Sequence, residues 1–62
     1  MKKANVGDVV RRKGQKETAI VEVLLDPQTP GGVRLDREID GFRYWNVDDL
    51  VLVKKAKRSG AK

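Results

Sequence analysis

The sequence predicts an all-β domain of five short strands, and three observations carry that reading. Nine valines and two isoleucines lie in short β-branched blocks, and such side chains suit the pleated, half-buried surface of a strand. Clusters of Gly, Pro, Asn and Asp separate the blocks at short intervals, supplying the residues that turns require. No window of about eleven residues or more carries an apolar stripe at helical spacing.

The elements follow in order. Gly7-Asp8 opens a strand over Val9–Lys13, and Gly14-Gln15-Lys16-Glu17 turns the chain. Thr18–Leu25 is the longest strand, with Ala19, Val21, Val23 and Leu25 on one face and Ile20, Glu22 and Leu24 on the other. Being apolar on nearly both faces, it is expected to be long, bent and central. Two prolines and a Gly-Gly pair in Asp26–Gly32 cannot sit inside a ladder, so this segment is a loop. Val33–Arg37 is the next strand, Asp40-Gly41 a hairpin tip, and Phe42–Trp45 the return. Asn46–Leu50 fits a single helical turn: Asn46 can cap it, and Asp48 and Asp49 suit its positive end. Val51–Val53 closes the series. Together these describe a small five-stranded SH3-like barrel with one 3-10 turn before the last strand. Closure would remove the exposed edges of an open sheet.

Hairpin register decides which large side chains face water. With a two-residue tip at Asp40-Gly41 and unbroken pairing, Ile39 faces Phe42, Glu38 faces Arg43, Arg37 faces Tyr44 and Asp36 faces Trp45. Phe42 and Tyr44 then join Val33, Leu35 and Ile39 in the core, and Trp45 lies outside. A bulged tip reverses this: Trp45 goes in, Phe42 and Tyr44 come out. The first register buries more apolar groups and is the expectation. The second agrees with the tendency of a lone Trp to be core.

Composition narrows the function. The 62 residues carry fourteen Lys+Arg, nine Asp+Glu, no His and no Cys, for a formal charge of +5. So short a chain hides only about 60% of its unfolded surface, and without cysteine it has no disulfide or thiolate metal site to help. Without histidine it lacks the commonest general base. An enzyme is not expected, nor a cofactor, metal or small-molecule substrate. No apolar run approaches the roughly 20 residues that span a bilayer, and the start has no apolar h-region. A cytoplasmic protein is the expectation.

The charge is unevenly placed. Residues 5–53 hold seven bases against nine acids, while Lys2, Lys3, Lys54, Lys55, Lys57, Arg58 and Lys62 lie at the ends with no acid among them. The expected organisation is an N-terminal arm over 1–5, a barrel over 6–53 and a flexible basic tail over 54–62. Such a tail can neutralise phosphates of a nucleic acid, or it can simply solubilise the chain.

Two blocks carry a resemblance. Val6-Gly7-Asp8-Val9-Val10-Arg11-Arg12-Lys13-Gly14 and Trp45-Asn46-Val47-Asp48-Asp49-Leu50-Val51-Leu52-Val53 resemble the opening and closing blocks of a group of small, largely uncharacterised bacterial SH3-like barrel proteins. The likeness spans residues 6–53 and implies the fold. Similar blocks recur in the photosystem I subunit of this fold and in the plasmid-encoded type II dihydrofolate reductase. Thr29-Pro30-Gly31-Gly32 and Phe42-Arg43-Tyr44-Trp45 fall where that reductase carries its pore loop and pore strand. Arg43 stands in place of its glutamine and Trp45 in place of its tyrosine, so the residues its chemistry would need are gone.

The expected function is a noncatalytic binding module. For DNA or RNA, Arg43 with Trp45 would form a stacking platform, supported by Arg34, Arg11, Lys13 and the tail bases Lys54, Lys55, Lys57 and Arg58. The acids Asp36, Glu38, Asp40, Asp48 and Asp49 argue against phosphate at their end. The alternative is a protein-interaction adaptor, homo-oligomers included, anchored by an exposed aromatic.

Overall fold

The computed structural model describes residues 3–56. Five antiparallel strands, β1 (Val9–Arg12), β2 (Thr18–Leu24), β3 (Gly32–Ile39), β4 (Phe42–Asn46) and β5 (Leu50–Lys54), form one sheet in the order β4-β3-β2-β1-β5. A 3-10 turn over Val47–Asp49 joins β4 to β5. Asn46 caps it, its side-chain oxygen accepting the Asp48 N–H at 2.9 Å, and Asp48 and Asp49 occupy its first turn. Strand β2 is central, as its two-sided apolar pattern predicts.

The core is small and made of β-branched and aliphatic groups. Leu35, Ile39 and Leu50 are wholly buried, with Val10, Val21 and Val33 beside them, and Trp45 and Leu52 pack against this cluster. Each such aliphatic side chain contributes roughly 1.5–3 kcal/mol by leaving water. Cross-strand register brings the layers together: Val10 opposes Ala19 on β2 and Leu52 on β5, and Val21 opposes Leu35.

Register shifts at Val9/Val10, Val21/Val23 and Arg34/Ile39 interrupt the ladders. Between Val21 and Val23 strand β2 advances two residues while β3 advances one. This bulge reverses the inside-outside alternation. Val23, expected beside Val21 in the core, is therefore exposed opposite Arg34.

The hairpin has the expected two-residue tip, with Ile39 opposite Phe42. Asp40 and Gly41 both have positive φ, 53° and 84°, the backbone such a tip requires. Beyond the tip the expected unbroken pairing fails. Arg34 opposes Tyr44 and Val33 opposes Trp45, so β3 carries three extra residues against β4. Asp36 lies in that stretch, and its carboxylate turns to β2, accepting the Ile20 N–H at 2.9 Å. The outcome is the one expected from a bulged tip. Phe42 and Tyr44 are 64% and 63% exposed, and Trp45 packs on the core.

Strands β4 and β5 are the two ends of the hydrogen-bonded order, and no ladder joins them among the described residues. A side chain links β1 to the β3–β4 hairpin. From β1, the Arg12 guanidinium pairs with Asp40 at the hairpin tip and lies 5.4 Å from the centre of the Trp45 ring on β4.

The corner where the two ends of the described chain meet is held by Asp8. It is 3% exposed, and its carboxylate accepts the Asn5 N–H at 2.9 Å and the Ala56 N–H at 2.8 Å. Gly7 makes this close approach possible. Its φ is 96°, and a Cβ there would stand 3.1 Å from the Ala56 Cβ. β5 reaches Lys54, which opposes Val9, and Ala56 is tied to Asp8. The described fold thus includes the first residues of the segment expected as a tail.

Candidate nucleic-acid interface

The candidate contact residues divide between two edges of the sheet. On β1 and β5, Arg11 opposes Val51 and Thr18, and Lys54 opposes Val9. Val10 is buried on the other face, so the Val9–Arg11 side is the outward one. A shallow open groove there is lined by Arg11, Lys16, Thr18 and Val53. Arg11 is held in place by donating from its guanidinium to the Gln15 carbonyl at 3.2 Å. Lys13 follows β1, its backbone N–H bound to the Asp49 carbonyl and its side chain exposed. Arg11 on β1, Lys13 just beyond it and Lys54 on β5, across a register shift at Val9/Val10, place three cations at these two strands. Among the described residues Arg11, Lys13, Lys16, Lys54 and Lys55 have no carboxylate partner.

The outer face of β2–β4 is different. Val23, Arg34 and Tyr44 form one cross-strand row. The Arg34 guanidinium donates to Glu22 at 2.6 Å. Its pKa is raised above the ordinary value, first by that hydrogen bond and then by one to Tyr44. Arg37 lies 3.5 Å from Asp36. The Asp36 carboxyl is held below its usual range, chiefly by the Ile20 N–H it accepts. Arg43 is exposed and without a carboxylate partner among the described residues. Glu38, Asp48 and Asp49 are exposed on the same half of the chain. The Glu38–Arg43 pair that unbroken register would create is not among the ion pairs of the described residues.

The expected Arg43–Trp45 platform is therefore not assembled as drawn from sequence. Trp45 is half-buried, its indole N–H donates to the Phe42 carbonyl at 2.9 Å, and its ring meets Phe42 edge-on at 6.2 Å. The arginine beside it is Arg12 from β1, not one on its own strand. The rings facing solvent are Phe42 and Tyr44. Lys57 and Arg58 lie outside the described residues.

Lys16 and Lys3 stand outside the expected contact residues, Lys3 falling in the N-terminal arm over 1–5. Lys16 sits in a tight turn after Gly14, whose φ is 84°, and that turn returns it to the Arg11 groove. Lys3 and Lys55 line one cleft with Asn5 and Leu52, at the corner where Asp8 binds both chain segments. No sequence signal marked that corner; the burial of Asp8 in the fold reveals it.

Comparison with known proteins finds no matching family model, no matching curated protein and no matching solved structure. Among the described residues no helix is long and apolar enough to cross a membrane.

Proposed function

We propose that the chain is a noncatalytic nucleic-acid-binding module, a cytoplasmic SH3-like barrel of the small bacterial kind its two end blocks resemble. The strand order β4-β3-β2-β1-β5, the 3-10 turn before the last strand and the Arg12 link between β1 and β4 support the barrel reading. One observation carries the function: Arg11, Lys13, Lys16, Lys54 and Lys55, on β1, β5 and the loop after β1, have no carboxylate partner among the described residues, while Arg12, Arg34 and Arg37 are paired with carboxylates. Cations left unpaired are what a phosphate backbone engages, releasing counterions as it binds. The bases Lys57 and Arg58 extend the same run in the sequence.

Anisotropy of a labelled oligo-dT measured across a salt series tests this. Affinity is expected to fall steeply with salt, and Arg11→Ala and Lys16→Ala each to lower the log–log slope by about 0.7. Removing residues 57–62 is expected to flatten it further. Absence of binding, or binding indifferent to salt, rejects the reading.

A second reading has its own observation. Phe42 and Tyr44 stand exposed on β4, an end strand of the order, and an open edge with exposed rings is a template for another chain. A protein adaptor or homo-oligomer built on this edge would sediment as a concentration-dependent larger species, and Tyr44→Lys would abolish it. A strict monomer with no nuclease-resistant protein partner would count against it.

A further inference from the structure

We infer that the cleft lined by Lys3 and Lys55 is a phosphate subsite, built by their two amines beside buried Asp8. The inference rests on the nucleic-acid reading and names one place where a backbone phosphate sits.

Three observations meet at this corner. First, Lys3 and Lys55 are fifty-two positions apart in the sequence, yet both line one cleft floored by Leu52 and Asn5. Neither has a carboxylate partner among the described residues. Second, Asp8, the acid lining the cleft among the described residues, is bonded to backbone and pairs with neither lysine. Asp8 is 3% exposed and its two oxygens hold the Asn5 and Ala56 N–H groups at 2.9 and 2.8 Å. Its geometry binds backbone and leaves the two ammonium groups to an outside anion. Third, the backbone is anchored two residues beyond Lys3 and one residue beyond Lys55. Each lysine therefore projects from a fixed point, and less freedom is lost when an anion draws the two amines together. Lys54, the residue before Lys55, lies opposite Val9 beside the register shift between β1 and β5.

A phosphate bound between two amines of one cleft differs from diffuse attraction in being localised. The test uses the full chain, with inorganic phosphate and a labelled oligo-dT as probes. In amide spectra, inorganic phosphate is expected to shift the Asn5 and Ala56 N–H signals, and the Lys3→Ala/Lys55→Ala double variant to lose those shifts. Both lysines are exposed, so the remaining spectrum is expected to be unchanged. At about 0.1 M salt each lysine removed is expected to weaken oligo-dT binding about five-fold, the effect of one lost single-strand phosphate contact. If the parent binds oligo-dT and the double variant binds equally well, the subsite is overturned and the wider reading stands. Phosphate shifts falling elsewhere on the chain would also overturn it. If the parent binds no oligo-dT, the wider reading itself fails.

Discussion

Replacing Asp8 by alanine removes the acceptor of two backbone N–H groups at once, and the structure allows the cost to be worked out. Both bonds are charge-assisted, and hydrogen bonds to a charged group contribute about 1.5–3 kcal/mol each. The donors are not equally shielded. Asn5 is exposed and Ala56 half-buried, so water takes over part of what the carboxylate gives up. The expected cost of Asp8→Ala is then about 2–4 kcal/mol. A domain of this length carries roughly 3–9 kcal/mol in all, so the loss is a large share of its stability. Asp8→Asn keeps the shape and one acceptor oxygen, but turns an NH₂ group towards a donor, and its cost falls between parent and alanine. Urea unfolding followed by circular dichroism measures both, with Ala56 amide exchange as the local readout. An Asp8→Ala variant within about 0.5 kcal/mol of the parent, the range of an ordinary surface substitution, would refute the reasoning.

Other expectations follow from single contacts. Arg12→Ala loses a partly exposed ion pair with Asp40 and a guanidinium over the Trp45 ring, each contributing up to about 1 kcal/mol. Its unfolding free energy should fall by about 1–2 kcal/mol, and tryptophan emission should move to the red; unchanged emission would exclude the stacked geometry. Asp36 titrates below its ordinary value of 3.8 in the folded chain because it accepts the Ile20 N–H. A carboxyl depressed in this way stabilises the fold fully above the unfolded value and loses that stabilisation as pH falls through the folded one. Acid unfolding of Asp36→Asn, followed below pH 3.8, should therefore depend less on pH than that of the parent. Equal slopes would place the acid sensitivity elsewhere.

Much of the architecture was legible because local chemistry and long-range packing agree. Each turn residue sits where a turn falls, Asn46 caps the 3-10 turn as its side chain dictates, and the strand limits differ from expectation by one or two residues. What sequence could not supply was parity. The bulge at Val21–Val23 and the three additional residues of β3 against β4 each reverse inside and outside, and no residue type marks either place. The bulged stretch of β3 is stabilised by Asp36 bonding β2, a contact between residues sixteen apart that periodicity cannot reveal. For the same reason the site was legible as a list of cations but not as a surface. Pairing decided which remained available, with Arg34 and Arg12 neutralised by Glu22 and Asp40 and Arg11 and Lys16 left along one groove. Asp8 read as strand punctuation, and only burial reveals it as an anchor.

That anchor gives the chain an unusual freedom in connectivity. Asn5 and Ala56 each bond one carboxylate, so a linker of a few residues between them would make a cyclic backbone. New ends could then be cut in the exposed Asp26–Pro30 segment with the strand order intact.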